Sequence, residues 1–359
     1  MTVAGKLIEV SEKIKFPAET VSRILRWYPM VRRPLPWRQD PTPYHVWVAE
    51  IMLQQTRIEA VIPYYTRFLK ELPAIPDLAA VPEDRLLKLW EGLGYYSRAR
   101  NLKKAAALLQ EQYGGCLPAS AAELRRLPGI GDYTAGAIAS IAFGLPEPAV
   151  DGNVLRVITR LTACADDIAD AKTKSAVKDA LRTCYPSGYE AGLLTEGIME
   201  LGETVCLPNG VPHCEACPLA AICTAHRIGQ ELNFPVKTAK KPRRIERKTV
   251  LLLRCGRRFA VRRRPGTGLL AGLWEFPTVD GALTAEQAAR FAAEQSVSVR
   301  ALVPCGTSKH IFTHVEWHMS GFLLDCENEL PGFVWRTPEE IAAEIPLPTA
   351  FRAWQKKIN

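Results

Sequence analysis

The stretch Leu127–Asn153, LPGIGDYTAGAIASIAFGLPEPAVDGN, sets two closely spaced glycines between two helical patterns and ends near an isolated aspartate. A capping pattern just upstream predicts a short helix over Ala121–Leu127. Gly129 and Gly131 let the backbone turn tightly with its N–H groups outward, and a second helix is expected soon after them. Exposed amides at a helix N-terminus bind phosphate, so the stretch predicts a phosphate cradle; the alternative is an ordinary helical hairpin.

The basic residues of the chain are concentrated in one segment. The 359-residue chain has a net charge of +8, and residues 237–264 hold thirteen Lys and Arg against Glu246 alone. The remainder of the chain is therefore slightly acidic. A localised basic stripe favours a polyanionic partner, although an exposed linker would also be charged.

Hydrophobic periodicity divides the chain into two kinds of sequence. Apolar residues recur at spacings of three and four up to about Phe234, which predicts helices throughout residues 1–234. Residues 235–247 contain proline, are strongly basic and are expected to form an exposed linker. Residues 248–359 combine strand-like runs with one helical segment, which predicts a small α+β domain.

The sequence predicts a cytoplasmic, nucleoid-associated protein, or a nuclear one if the source is a eukaryote. The segment MTVAGKLIEVSEKIKF carries no apolar signal core, and the longest uncharged apolar stretch, Tyr133–Pro146, is too short to span a bilayer. We therefore expect no membrane partner, and we expect a monomer.

Four of the ten cysteines lie within eighteen residues of one another: Cys206, Cys214, Cys217 and Cys223. A cytosolic chain does not use such a group for disulfides, so the spacing predicts metal ligands. Because it contains a single CxxC pair, the spacing leaves zinc and an iron–sulfur cluster both open.

Glu50 is the only charged residue from Val46 to Thr56 on a predicted helix. A carboxylate in apolar surroundings is either paired with a base or has a raised pKa, and the second case gives a general acid near neutral pH. Asp151 lies in an Asp-Gly pattern, which is also common in ordinary turns.

The segments LPGIGDYTAGAI and VDGNVLRV resemble the helix-hairpin-helix DNA glycosylases, and LPWR and PYHVWVAEIMLQQT narrow the resemblance to the adenine DNA glycosylase (MutY) family. Motif matches are dense from about Leu35 to Cys223 and looser from Val250 onward. The resemblance implies an all-α helix-hairpin-helix glycosylase domain with an iron–sulfur cluster of the 4Fe–4S type, plus a C-terminal α+β Nudix-like domain. The family pattern has six residues between the first two cysteine ligands, whereas this chain has seven, LPNGVPH.

The resemblance also implies roles for the carboxylates. Breaking a nucleoside C–N bond requires a proton on the departing base and negative charge beside the oxocarbenium-like sugar. Glu50 is expected to protonate adenine and Asp151 to stay ionised beside the sugar, with Asn153 and Tyr133 holding the arrangement. In the endonuclease III branch a lysine stands at the position of Tyr133 and attacks the sugar, so the tyrosine predicts hydrolysis without strand cleavage.

A further set of residues matches positions that contact DNA in the family. Gln55 and Tyr95 match wedge positions that fill the gap left by a flipped base, with Thr56 and Leu93 beside the orphaned partner. The hairpin would contact the DNA backbone. The residues that match the adenine pocket are Trp37, Arg38 and Glu196.

The C-terminal segment HIFTHVEW resembles the loop with which adenine glycosylases sense 8-oxoguanine. The usual triplet is Phe-Ser-His, and this chain has Phe312, Thr313 and His314. Threonine keeps the hydroxyl donor and adds a methyl group, so the contact is expected with altered packing.

These features together predict a monofunctional DNA glycosylase that flips and excises adenine opposite 8-oxoguanine or G in double-stranded DNA. One alternative is a bifunctional endonuclease III-like glycosylase and AP lyase, which Tyr133 disfavours. The other is a non-catalytic iron–sulfur DNA-binding protein, which the pairing of Glu50 with Asp151 disfavours.

Overall fold

The computed structural model describes residues 14–238, 242–295 and 298–358. The chain divides into two compact units, one formed by Met1–Ala80 with Asn101–Ala239 and the other by Val81–Arg100 with Lys240–Asn359. Among the described residues, no helix combines the length and apolar character needed to cross a bilayer.

Helices are the regular structure up to residue 238, as predicted, and no strand lies in residues 14–238. Short 3-10 turns accompany them near the cysteines, at Cys214–Ala216, Ala220–Ile222 and Glu231–Asn233. The helices are α1 Thr20–Val31, α2 Pro36–Gln39, α3 Pro43–Leu53, α4 Ile58–Glu71, α5 Ile75–Ala80, α6 Glu83–Leu89, α7 Ser97–Gln112, α8 Ala121–Leu124, α9 Asp132–Phe143, α10 Gly152–Thr162, α11 Ala171–Arg182, α12 Tyr189–Thr204 and α13 Thr224–Arg227.

The core of the first unit brings α10 and α12 together. The apolar stripe of α10, including Val154, Ile158 and Leu161, is buried against Leu201 and its neighbours on α12. Each such side chain contributes about 1.5 to 3 kcal/mol when fully buried. Gly202 permits the close approach, because a Cβ there would lie 2.6 Å from the Cβ of Asn153.

The second unit contains a mixed sheet with both faces covered. Its strands are β1 Arg244–Cys255, β2 Arg258–Arg263, β3 Trp274–Glu275, β4 Thr278–Asp280, β5 Val299–Ile311, β6 Val315–Cys326 and β7 Val334–Arg336. The order is β3-β2-β1-β6-β5, with β1 and β6 parallel; β4 pairs with β1, and β7 pairs with β2. Its helices are α14 Ala285–Glu294, α15 Pro338–Glu344 and α16 Arg352–Ile358.

Alternate residues of β1 explain the continuous apolar run in its sequence. Val250 and Leu252 pack with Trp354 on one face, whereas Leu251 and Leu253 pack beside α14 on the other. A strand buried on both faces has no polar side, so it reads as an unbroken hydrophobic segment.

Two boundaries differ from the sequence expectation. Residues 244–247, expected in the linker, form the start of β1, because they pair in parallel with β6 from Val315 onward. Residues 81–100, expected with the helical region, belong to the second unit. Asp84 accepts hydrogen bonds of 2.5 and 2.6 Å from Arg263, and Arg100 donates to the carbonyl of Ala271 at 2.7 Å.

Candidate active site

A pocket of about 540 Å³ opens in the first unit between α2, α3, α9, the start of α10 and α12. The fold brings together side chains that are far apart in the sequence. The predicted site residues that line this pocket are Trp37, Arg38, Glu50, Gln55, Thr56, Tyr133, Asp151, Asn153 and Glu196.

Glu50 lies on α3 and is only 6% exposed. Burial raises its pKa to about 7, and the neighbouring charges of Asp151 and Glu196 act in the same direction. The hydroxyl of Tyr133, on α9, donates a 2.6 Å hydrogen bond to Glu50 Oε2 and opposes part of this rise. A carboxyl with this pKa is protonated in a large fraction of molecules near neutral pH and can act as a general acid.

Asp151 is the N-cap residue of α10. Its Oδ1 accepts from the backbone N–H of Val154 at 2.8 Å, and its Oδ2 accepts from the amide of Asn153 at 3.0 Å. Burial raises the pKa of Asp151 above its usual value, and these N–H donors and the charge of Arg156 offset only part of the rise. Donors aimed at both oxygens stabilise the ionised form against burial, which suits a group that faces a developing positive charge.

Arg156 joins this carboxylate to the cysteine region, and it was not identified from the sequence. Its guanidinium donates to Asn153 Oδ1 at 2.8 Å and to the carbonyl of Cys206 at 2.7 Å. Asn153 in turn donates to Asp151 and to Glu203, each at 3.0 Å. Arg156 therefore fixes the orientation of the Asn153 amide, so that its NH₂ group points toward Asp151.

A second set of charges lies behind the base pocket. Glu200, 1% exposed, receives hydrogen bonds from Arg33 at 2.5 and 3.1 Å and from Arg38 at 2.8 Å. Glu196 accepts from the hydroxyl of Tyr28 at 2.8 Å and lies 3.4 Å from Arg38 Nε. Burial would raise the pKa of Glu200, but the bonds from Arg33 and Arg38 outweigh it and lower the pKa.

The hairpin joins α8 to α9. Gly129 has a φ of +81°, and a Cβ there would lie 2.8 Å from the Cβ of Asn101, so only glycine fits. Gly131 has ordinary backbone angles and is the N-cap of α9, with open space where a side chain would be. The second glycine therefore leaves room beside the helix N-terminus for an incoming phosphate.

The two predicted wedge residues share an unusual backbone conformation. Gln55 has a φ of 56° and Tyr95 a φ of 47°, although neither is glycine. Tyr95 is 46% exposed. Left-handed conformations in larger residues persist where the surrounding structure imposes them, and they are common at functional sites.

The four cysteines line one small cavity of the first unit together with apolar side chains. Burial raises the pKa of Cys214 to about 11 and that of Cys217 to about 12, and neighbouring thiols add to the effect. Arg160 donates to Cys206 Sγ at 3.3 Å. The longer loop is accommodated because residues 208–211 are exposed. An all-sulfur donor set of this kind can hold a metal cluster.

Two further groups lie beside Cys214 that were not identified from the sequence. His226 Nδ1 and Glu231 Oε1 are 2.5 Å apart, and ligand atoms of the three residues lie within 4.8 Å of one another. They line the same cavity as the cysteines.

The second unit has a cleft of its own, of about 580 Å³. Leu93 and Tyr95 lie on one side of it and the turn Phe312–His314 on the other. The Tyr95 hydroxyl and the Thr313 hydroxyl are 3.0 Å apart and form a hydrogen bond. Thr313 and His314 are exposed, whereas Leu93 is buried. The cleft thus holds all five residues that the sequence linked to the partner base in this unit.

Family comparisons cover both units. Residues 48–184 match the model of the HhH-GPD superfamily of base excision DNA repair proteins, and residues 249–357 match the NUDIX domain model. The adenine DNA glycosylase of Rattus norvegicus is 33% identical, over 93% of this chain and 77% of its own length. That of Homo sapiens is 34% identical, over 92% of this chain and 73% of its own length.

Among solved structures, endonuclease III in a non-covalent complex with DNA resembles the first part of the molecule. The match has a TM-score of 0.50 and 28% identity, and it covers 58% of this chain and 94% of that one. The helical fold is therefore shared with a protein whose structure was solved in complex with DNA.

Proposed function

Because this chain belongs to the adenine DNA glycosylase family, we propose that it hydrolyses the N-glycosidic bond of adenine mispaired with 8-oxoguanine or with G in duplex DNA. The observation that carries the proposal is the environment of Glu50, a buried carboxyl with a pKa of about 7 beside Tyr133 and the hydrogen-bonded Asp151. Two carboxyl groups in different settings are what cleavage of a glycosidic bond requires.

The reaction follows from these settings. Glu50 donates its proton to a ring nitrogen of the flipped adenine, and the electrons of the C–N bond leave with the neutral base. The sugar becomes cationic, and the ionised Asp151 stabilises it electrostatically. Water then adds to the sugar carbon, and its proton returns to the Glu50 carboxylate, which restores both groups.

Tyr133 supports hydrolysis without strand cleavage. A lyase needs an amine that forms an imine with the sugar, and none of the described residues lining the pocket is a lysine. Borohydride should therefore trap little covalent enzyme–DNA adduct. Efficient trapping would favour the glycosylase and lyase alternative.

The cysteine group supports a cluster of the 4Fe–4S type, held by Cys206, Cys214, Cys217 and Cys223. When bound, such a cluster supplies structural cross-linking and no step of the hydrolysis. Purified protein should be brown and contain about four irons per chain. A colourless protein with one zinc per chain would overturn this assignment.

The cleft of the second unit supports recognition of the base opposite adenine. Thr313 and His314 present a hydroxyl and an imidazole at its surface, and the Phe312 ring lies beside them. The hydroxyl and the imidazole can hydrogen-bond to the edge of an exposed base, and the aromatic rings can stack on its face.

The decisive experiment is single-turnover release of adenine from three duplexes that differ only in the base opposite it. We expect release opposite 8-oxoguanine and G, faster for the first, and little opposite C. Equal rates for all three would contradict the proposed specificity, and no release from any would contradict the enzymatic function.

A further inference from the structure

The turn Phe312–His314 is supported from outside its own hairpin by residues that the sequence placed in the basic linker. Within the turn itself, the N–H of Phe312 donates to the carbonyl of Val315 at 2.8 Å. Arg243 and the first residues of β1 add further contacts, because β1 runs parallel to β6 from its first residue.

Arg243 contacts the turn directly. Its Nε donates to the carbonyl oxygen of Phe312 at 3.2 Å, and its Nη1 lies 3.9 Å from Glu316 Oε1. The next residue, Arg244, bonds to the turn through its backbone, with its N–H donating to the carbonyl of His314 at 3.1 Å. The Arg244 side chain pairs instead with Glu246.

Glu246 supports the turn indirectly, through Trp317. It is the single acid in the basic segment, and its Oε2 accepts from Trp317 Nε1 at 3.0 Å. The indole of Trp317, 1% exposed, packs edge to face against the Phe312 ring, with centroids 4.9 Å apart. The acceptor therefore fixes the ring on which Phe312 rests.

We propose that Arg243 and Glu246 are positioning residues for the Phe312–His314 turn, so that the end of the linker and the start of β1 set the preference for the base opposite adenine. The inference rests on the proposed function, in which this turn reads that base. Arg243 fixes the backbone of the turn from one side, and Glu246 fixes its aromatic support from the other. Neither side chain needs to contact DNA for this role.

The chain offers a matched pair of variants. Arg243→Ala and Arg244→Ala each remove one positive charge from adjacent residues, but only the first removes a side-chain contact with the turn. Arg244→Ala takes one partner from Glu246, which keeps Lys248 at 3.3 Å and its bond from Trp317. Glu246→Ala removes the acceptor for Trp317, whereas Glu246→Gln keeps an acceptor oxygen and removes only the charge.

The readout is the ratio of adenine release rates opposite 8-oxoguanine and opposite G, measured with saturating protein. Because one protein sample acts on both duplexes, loss of folded protein or of general DNA affinity cancels in the ratio. Removing a single hydrogen bond changes such a ratio by about three- to tenfold. We expect the ratio to fall by this factor for Arg243→Ala and Glu246→Ala and to change little for Arg244→Ala. In Glu246→Gln the ratio should return toward the wild-type value.

Equal ratios for Arg243→Ala and Arg244→Ala would overturn the proposal for Arg243, and an unchanged ratio for Glu246→Ala would overturn it for Glu246. The variant Phe312→Ala distinguishes failure of the proposed function from failure of the present inference. If Phe312→Ala leaves the ratio unchanged, recognition by this turn itself fails. If it lowers the ratio and the positioning variants do not, only the present inference fails.

Hydrogen exchange provides a measurement without DNA. The amide of Phe312 is bonded within the turn, so it should exchange faster in Arg243→Ala than in the wild type and in Arg244→Ala. Unchanged exchange at this amide in Arg243→Ala would count against the role of Arg243.

Discussion

The pocket of the first unit and the cleft of the second place their key groups in opposite environments. Glu50 lies on a helix and is 6% exposed, whereas Thr313 and His314 lie exposed on a turn between two strands. Burial gives Glu50 the pKa its chemistry needs. Recognition needs exposed groups that can reach the edge of a base. Backbone hydrogen bonds, rather than burial, hold these groups in position. Acid catalysis thus depends on desolvation here, and recognition depends on support from neighbouring strands.

The largest effect should come from removing the acid in the pocket. Glu50→Gln keeps the shape and the hydrogen bond from Tyr133 but has no proton to donate. Adenine release in single turnover should fall by about a thousandfold or more, with little change in the affinity for mismatched duplex. A release rate within tenfold of the wild type would show that Glu50 is not the general acid. The assignment of chemistry to the pocket and recognition to the cleft would then fail.

Breaking the buried charge network should chiefly affect folding. Glu200→Ala removes the buried acceptor that Arg33 and Arg38 share and leaves Arg38 with Glu196 alone among the described acidic residues, which should lower the free energy of unfolding by up to about 3 to 5 kcal/mol. Glu203→Ala, on the same helix but exposed, is the control and should have a much smaller effect. Equal denaturation midpoints for the two variants would contradict the network's role in the first unit.

The pH dependence should report on the pocket alone. Glu50 donates a proton only when protonated, so excision should fall about tenfold for each unit above about pH 7. Tyr133→Phe removes a hydrogen bond that lowers this pKa, so the alkaline limb should move to higher pH. The ratio between partner bases should stay constant across the same range. An unshifted limb in Tyr133→Phe would argue against Glu50 as the titrating group.

The smallest of these effects should come from the cleft. Phe312→Ala combined with His314→Ala removes a ring and an imidazole that would face the partner base, and we expect about a tenfold loss of preference for 8-oxoguanine over G. Excision opposite G should change little, since the pocket is intact. If the double variant keeps full preference, recognition must lie with Thr56 and its surroundings in the first unit.

The sequence revealed those parts of the site that local patterns mark. Glu50 stands alone in an apolar helix, and Asp151 lies in the segment VDGN, which resembles the glycosylase family, so both could be identified. The pairing of Arg33 with Glu200 joins residues 167 positions apart, and no local pattern indicates it. Arg156 was missed for a similar reason, because it donates to the carbonyls of Gly202 and Cys206, which lie 46 and 50 positions along the chain.

Certain backbone conformations could not be predicted from the sequence either. Nothing in QQT or GYY indicates that Gln55 and Tyr95 adopt left-handed angles, because those angles are imposed by tertiary packing. The extent of β1 was underestimated because its first residues are basic and exposed, and their strand conformation comes from pairing with β6.

The inclusion of residues 81–100 in the second unit bears on how this protein can be dissected. A truncation that ends in the linker would keep this segment and remove everything it packs against in that unit, including Arg263, Ala271 and Thr313. Asp84, Arg100 and Tyr95 would each lose a hydrogen-bond partner at once. The shortened protein would therefore retain residues 81–100 without the rest of their structural unit. Any altered preference for the base opposite adenine would combine the loss of the Phe312–His314 turn with the misplacement of Tyr95.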